Sequence, residues 1–184
     1  MDNDLTLINR FLKGDKESFN SLVKLHKNRV FNTVFSITGA GDIADDVTQD
    51  VFIKVYRELS KFKGNSAFTS WLYRIAVNAS LDEMRKRKRR IYDSLDEEGA
   101  INLPKALIEK GNPAEGMERE EVSIILQKAL NRLPEKYRTV LVLKEIDGLS
   151  YDDIGNIMKI SVNKVKVWIF RAREKFRKQM GGML

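Results

Sequence analysis

The 184 residues suit either two small domains or one larger one, and 33 basic against 26 acidic side chains leave a formal charge of +7. The chain contains no cysteine, which excludes disulfides, thiolate zinc sites and a cysteine nucleophile. No stretch approaches the roughly 18 apolar residues that a membrane span needs, and the acidic start lacks the basic first region of a signal peptide, so we expect a cytoplasmic protein.

The charge is distributed unevenly along the chain. Residues 1–90 hold 17 basic and 11 acidic side chains, residues 91–117 hold 2 and 6, and residues 118–184 hold 14 and 9. Two basic segments therefore flank an acidic one. A basic surplus of this size favours a polyanionic partner, either a nucleic acid or an acidic membrane surface.

Apolar residues recur at helical spacing almost throughout, and no segment alternates with the period of two that a half-buried strand needs. This pattern predicts an all-α fold. The helices expected in the first half cover residues 4–13, 15–37, 42–60 and 68–90. Asp15 is the expected N-cap of the second helix, and the glycines at 39 and 41 end it. Four such helices can share one core.

A linker follows, because prolines, glycines and carboxylates replace the periodic pattern between residues 91 and 117. Residues 105–110 are a candidate for a short helix within it. The helices expected after the linker cover residues 118–132, 134–146, 150–158 and 162–179. We therefore predict two small helical domains, 1–90 and 118–184, joined by a flexible acidic linker, 91–117.

The last two predicted helices fit a helix-turn-helix, because Ser150 and Ser161 can each cap a helix and only a few residues separate the two. Val165 and Ile169 belong to the buried stripe of the second helix, whose opposite face carries basic side chains together with Val167. Such a mixture is typical of a helix that reads the DNA major groove. The alternatives are an ordinary solvated helix and a face that packs on a partner.

Three blocks of the chain resemble one protein family. Residues 133–140 (LPEKYRTV), 148–155 (GLSYDDIG) and 169–175 (IFRAREK) resemble region 4 of the extracytoplasmic-function (ECF) sigma factors of bacterial RNA polymerase. Residues 45–54 (DDVTQDVFIK) resemble region 2.2 of that family, and residues 68–78 (FTSWLYRIAVN) resemble regions 2.3 and 2.4. The resemblance covers nearly the whole chain except the linker.

The resemblance implies a non-enzymatic subunit that binds core polymerase and directs initiation at promoters. It assigns Asp46, Gln49 and Asp50 to the clamp helices of the largest polymerase subunit. The implied partners are core RNA polymerase, through its clamp helices and flap, and promoter DNA. The resemblance leaves open an anti-sigma factor as a further partner. No cofactor or metal is implied. The acidic linker would lie toward the active-site cleft of the polymerase.

The resemblance also assigns DNA contacts. In the first domain, contacts with the minus-ten element fall on a loop and the helix after it, at Lys61, Lys63, Asn65, Ser66, Phe68, Trp71, Arg74, Asn78, Arg85, Arg87 and Lys88. Asn78 is expected to help capture an extruded base, at a cost that stacking and hydrogen bonds can offset. The basic run 85–90 is expected to bind phosphates.

Contacts with the minus-thirty-five element fall on the helix-turn-helix, at Ser161, Lys164, Lys166, Val167, Phe170, Arg171 and Arg173. Members of the family commonly have a glycine, a small polar residue and an arginine where this chain has Asn163, Val167 and Trp168. The resemblance therefore implies DNA binding there without fixing the preferred sequence.

Two other functions are compatible with parts of the sequence. A stand-alone repressor or activator could use the same helix-turn-helix without polymerase, usually as a dimer on spaced half-sites. A metal-dependent nuclease could use the aspartates at 42, 45, 46 and 50 as magnesium ligands, but no second carboxylate cluster, histidine or general base accompanies them.

Overall fold

The computed structural model describes residues 3–95 and 117–181, with side chains described for 3–90 and 122–181. Within these residues the chain forms helices and no strand. The first lobe consists of α1 (Asp4–Leu12), α2 (Lys16–Thr38), α3 (Gly41–Glu58), a 3-10 turn (Leu59–Lys61) and α4 (Phe68–Leu95). The second lobe consists of α5 (Met117–Asn131), α6 (Glu135–Leu141), a π-helical turn (Val142–Ile146), α7 (Tyr151–Met158) and α8 (Val162–Gly181).

Local signals in the sequence fix the ends of α2. The Asp15 side chain accepts hydrogen bonds from the backbone N–H groups of Glu17 and Ser18, which are left without helical partners at a helix start. At the other end, Gly39 adopts a left-handed conformation with φ of 80° and closes the helix. The expected cap and stop of this helix are therefore confirmed.

The core of the first lobe is built from one face of each helix. Four residues of α3 are at most 5% exposed and pack against buried residues of α2 and α4: Ala44, Val47, Val51 and Val55. Each fully buried aliphatic side chain of this kind contributes roughly 1.5–3 kcal/mol of transfer free energy. The opposite face of α3 faces solvent and is mostly polar, with Ile53 as an exposed apolar residue.

The helices of the first lobe and of the helix-turn-helix agree with those expected from the sequence, except at their ends. One difference is internal: the helix expected over 134–146 is α-helical only to Leu141 and continues as the π-helical turn. In this turn the Asp147 backbone N–H donates to the Val142 carbonyl, five residues before it, instead of to a carbonyl four residues before it as in an α-helix. The short helix considered over 105–110 and most of the linker lie outside the described residues.

The two lobes are not separate bodies, because one apolar cluster runs through both. Ile37, Tyr73 and Val77 of the first lobe are at most 3% exposed and belong to a core otherwise formed by the second lobe. Helix α4 packs on α7, and α2 packs on α5, α6 and the π-helical turn. Among the helices of residues 3–95 and 117–181, none is both long and apolar enough to cross a membrane.

Candidate nucleic-acid interface

The turn between α7 and α8 is held by a reciprocal cap and by one close backbone approach. The Ser150 hydroxyl accepts a hydrogen bond from the Asp153 N–H at 3.0 Å and donates to the Asp153 carboxylate at 2.6 Å. Lys159 ends α7 with φ of 55°. A Cβ on Gly155 would lie 2.9 Å from the Ile160 carbonyl oxygen, so only glycine fits there without a shift. The turn therefore sets α8 at a defined angle to α7.

Helix α8 presents a mixed basic and apolar face to solvent. Val165, Ile169 and Ala172 are at most 2% exposed, whereas Val167 is 46% and Phe170 is 65% exposed on the outer face. The Ser161 hydroxyl accepts from the Lys164 N–H at 3.3 Å and caps the helix. The basic residues exposed on α8 include Lys164, Lys166, Arg171 and Arg173. Basic groups beside large apolar ones suit phosphates and thymine methyl groups.

Two side chains of α8 have partners inside the protein. Arg173 donates to the Glu145 carboxylate, with its Nη2 at 2.6 Å, and Glu145 raises the pKa of the guanidinium. Trp168 is half-buried, stacks edge-on with Tyr137 and has the Lys164 ammonium 5.1 Å from its ring. Trp168 is therefore a packing residue, which accounts for one of the departures from the family pattern.

The residues expected at the minus-ten element divide into exposed and buried ones. Arg74 and Asn78 are exposed on α4, one turn apart, beside the buried stripe. Trp71 is 9% exposed and Phe68 is 3% exposed, and both rings contact Phe62. Phe68 lies in the core of the lobe, where it supports Trp71. Arg85, Arg87 and Lys88 are exposed near the end of α4, and Arg85 lies 3.3 Å from Asp82.

The loop before α4 and the start of that helix border an open cavity of about 400 Å³. From the first lobe it is lined by Lys61, Phe62, Lys63, Asn65, Ser66, Ser70, Trp71 and Arg74, and from the second by Asp153, Asn156 and Ile157. Cationic, amide and aromatic groups together can bind a phosphate and stack on a base. We call the lining residues of the first lobe, together with Asn78, the minus-ten face.

The residues expected to bind polymerase lie together on α3. Asp46, Gln49 and Asp50 are exposed on the side opposite the buried valines, and Ile53, one turn further, is 43% exposed. Three polar side chains around one exposed apolar side chain form a surface suited to another protein.

A second candidate docking surface is an apolar groove of about 500 Å³ in the second lobe, between α5, the end of α6 and α8. Leu126, Leu130, Ile146, Phe176 and Met180 are among its lining residues. Ile146 is 50% exposed at its edge. Apolar grooves of this kind commonly receive an apolar segment of a partner.

Two buried polar residues hold the lobe contact, and the sequence motifs do not indicate this role for either of them. Asp147 is 9% exposed and accepts from the Thr33 hydroxyl at 2.9 Å, 114 residues away in the sequence. Arg138 is 7% exposed and donates from Nη1 to the Ile37 carbonyl at 2.7 Å. The sequence indicates one of these contacts indirectly. Arg138 stands beside an apolar run, where burial is expected, and a buried guanidinium needs hydrogen-bond partners.

The acidic residues of α3 do not gather around a common point. Within the described ranges, no group of three or more histidine, aspartate or glutamate side chains could hold a metal ion.

Comparison with known proteins covers most of the chain. Residues 22–90 match the Sigma-70 region 2 family, and residues 123–176 match the Sigma-70, region 4 family. The chain is 42% identical to the ECF RNA polymerase sigma-E factor of Escherichia coli K12, covering 93% of the chain and 91% of that protein. It is 36% identical to the ECF RNA polymerase sigma factor SigW of Bacillus subtilis, covering 94% of each.

Solved structures share the two-lobed helical fold. The sigma factor RpoE of Bartonella quintana, in complex with the anti-sigma factor NepR, matches with a TM-score of 0.71 at 24% identity, covering 90% of this chain and 98% of RpoE. CnrH in complex with the cytosolic domain of CnrY matches with a TM-score of 0.72 at 24% identity, covering 98% and 99%. By its two matched regions in order, and by its identity to relatives over nearly its full length, the chain belongs to the ECF sigma factors.

Proposed function

We propose that this protein is a sigma subunit that binds core RNA polymerase and directs it to initiate transcription at particular promoters. The observation that carries the proposal is the presence of both sigma regions in one chain, each with an exposed basic face. Catalysis belongs to the polymerase, and the protein acts in the cytoplasm. Residues 1–90 form the polymerase-binding and minus-ten domain, 91–117 the linker, and 118–184 the minus-thirty-five domain.

Polymerase binding is assigned to both lobes. Asp46, Gln49 and Asp50 on α3 would contact the clamp helices of the largest subunit, where exposed carboxylates can pair with basic side chains. The apolar groove of the second lobe would receive the flap, since Ile146 and Leu126 leave apolar surface open to solvent there. Two separate contacts on one chain raise the effective affinity of each.

Promoter recognition divides between the minus-ten face and α8. Asn78 is exposed and can hydrogen-bond an extruded base beside Trp71, while Lys61 and Lys63 can bind the adjoining phosphates. On α8, Lys166 and Arg171 would meet phosphates and guanine edges, and Val167 and Phe170 would meet thymine methyl groups. The remaining cations, Arg85, Arg87, Lys88 and Lys164, would bind phosphates.

An anti-sigma partner is part of the proposal, since the similar sigma factor RpoE was solved in complex with the anti-sigma factor NepR. The groove of the second lobe and the exposed part of α3 are the surfaces for which an inhibitor would compete with polymerase.

Co-elution with core polymerase and transcription of genomic DNA by the reconstituted enzyme test the proposal. We expect the double variant Asp46→Ala/Asp50→Ala to bind core at least tenfold more weakly, because one buried or half-buried charge pair is worth roughly 1–3 kcal/mol. The matched control is Glu17→Ala, an exposed acid on α2. A purified chain that neither co-elutes with core nor alters the set of transcripts would refute the proposal.

A further inference from the structure

The Trp168 ring brings together two lysine ammonium groups that belong to different helices. The Lys136 Nζ, on the first turn of α6, lies 5.4 Å from the centre of the indole ring, and the Lys164 Nζ, one turn earlier on α8, lies 5.1 Å from it. Both distances are within the range of a cation–π interaction. The Tyr137 ring meets the indole edge-on, and its own centre lies 5.1 Å from the Lys136 Nζ. We call Lys136, Lys164 and Trp168 the lysine–tryptophan cluster.

Neither ammonium group of the cluster forms an ion pair within the described part of the chain. Both lysines are exposed, and no described carboxylate is paired with them, whereas Arg173 on the same helix α8 is paired with Glu145. The two positive charges are therefore available to an anion from outside. The aromatic rings restrict the two side chains before binding, which lowers the entropy cost of ordering them in a complex.

The cluster lies at the flank of the exposed face of α8. Val167 and Phe170 are exposed on that face, whereas Trp168 is half-buried against Tyr137 of α6. A helix with its side chains is about 10–12 Å wide and so fills a DNA major groove about 12 Å wide. Groups on an element that packs beside such a helix therefore face the edges of the groove, which are lined by backbone phosphates. The position and the charge of the cluster both suit a phosphate.

We propose that Lys136 and Lys164, held in place by Trp168, bind backbone phosphates along one edge of the minus-thirty-five duplex while α8 occupies its major groove. Lys136 is then a DNA contact outside the helix-turn-helix, on a helix that carries none of the other proposed DNA contacts. Trp168 is a positioning residue, which orients the ammonium groups without reading a base. The inference rests on the proposed function, because that function supplies the duplex.

Uncharged phosphate analogues locate the contact on the DNA. A promoter that the reconstituted enzyme transcribes is made with single methylphosphonate linkages, which carry no charge, at successive positions of the minus-thirty-five duplex. We expect Lys136→Ala to weaken holoenzyme binding to the unmodified promoter about threefold, as for one exposed charge pair. The variant should also become insensitive at one or two positions at which the natural holoenzyme is sensitive. Two controls should keep the natural pattern: Lys136→Arg, which retains the charge, and Lys27→Ala, which removes an exposed charge from α2.

Trp168→Leu tests the positioning role of the indole ring. Leucine keeps an apolar side chain beside Tyr137 but offers no ring to the ammonium groups. We expect sensitivity to be lost at the same one or two positions as in Lys136→Ala and to stay unchanged at the others, which a general loss of stability would not produce. A natural pattern in Trp168→Leu would overturn the role assigned to the indole.

A salt titration separates failure of this inference from failure of the proposed function. Binding of the full chain alone to a random-sequence duplex is followed by anisotropy at several salt concentrations. Lys136→Ala should make the slope of log K against log salt concentration shallower by about 0.9 than in the natural chain and in Lys27→Ala, because one phosphate contact is lost. A natural chain that directs core to no promoter would refute the proposed function, and this slope then decides for or against the cluster. Equal slopes for the natural chain and Lys136→Ala, or an unchanged methylphosphonate pattern, would overturn the inference.

Discussion

Lowering the pH from 7 to 5 is expected to favour the arrangement in which the two lobes are in contact, called the closed form, over an open form in which they are separated. The reason is that the contact buries the carboxyl group of Asp147. The residue is 9% exposed, and its Oδ2 has no hydrogen-bond partner among the described residues. Burial raises the pKa of Asp147 to about 6, while the Thr33 and Tyr73 hydroxyls and the Arg29 charge offset part of the rise. These groups face the carboxyl from α2 and α4, so separation of the lobes removes them together.

The size of the effect follows from the pKa values of the two forms. In the open form water reaches the carboxyl group, and its pKa returns toward the ordinary 3.8. The closed form therefore binds a proton more tightly, and closure strengthens as the pH falls through about 6 until both forms are protonated below 3.8. Between pH 7 and pH 5 the ratio of closed to open molecules rises about tenfold, or about 1.4 kcal/mol.

Spin labels at Lys16→Cys on α2 and Lys175→Cys on α8, both exposed, report the distance between the lobes, and the distances measured at a series of pH values give the ratio of closed to open molecules. Asp147→Asn keeps the shape and an oxygen that accepts from Thr33 but cannot titrate, so its ratio should not change between pH 7 and pH 5. A natural chain whose ratio stays constant, or an Asp147→Asn variant that keeps the tenfold change, would show that the buried carboxyl does not control closure.

Asn78→Ala should reduce strand opening roughly tenfold, measured by permanganate reactivity of melted thymines, because the extruded base loses one hydrogen-bonding partner, while co-elution with core stays unchanged. Gly155→Ala should lower the stability of the second lobe by about 1–3 kcal/mol in calorimetry, because its Cβ meets a carbonyl oxygen. Lys159→Gly should raise the stability of the second lobe by about 1 kcal/mol, because glycine adopts the left-handed backbone conformation of residue 159 without strain. A lower melting temperature would contradict that reasoning. Glu145→Gln should release Arg173, which can then bind a DNA phosphate. In anisotropy titrations of duplex binding, the slope of log K against log salt concentration should become steeper by about 0.9. An unchanged slope would argue that Arg173 stays bound inside the protein.

Local features of the fold were predictable from the sequence because their causes are local. The caps at Asp15 and Ser150 join atoms two or three residues apart, and the buried stripe of α8 follows from the spacing of Val165 and Ile169. The two family motifs likewise lie within continuous segments, which is why the comparisons confirm the resemblance.

The contact between the lobes was not predictable, because its partners are far apart in the chain and have no shared pattern. Thr33 looks like an interruption of an apolar stripe until Asp147, 114 residues later, is placed beside it. The same holds inside the second lobe, where Arg173 looks like a free cation until Glu145 is found 28 residues away. The π-helical turn that brings Asp147 to the contact also leaves no recognisable mark in the sequence.

The contact between the lobes has both polar and apolar members, so the ratio of closed to open molecules is expected to depend on temperature. When the lobes separate, water can replace the partners of Asp147 and Arg138, but it cannot replace the apolar neighbours of Ile37, Tyr73 and Val77. Exposure of apolar surface raises the heat capacity, so opening carries a positive heat-capacity change. Because apolar contacts weaken on cooling, a chilled solution would hold a larger share of this protein with its lobes separated.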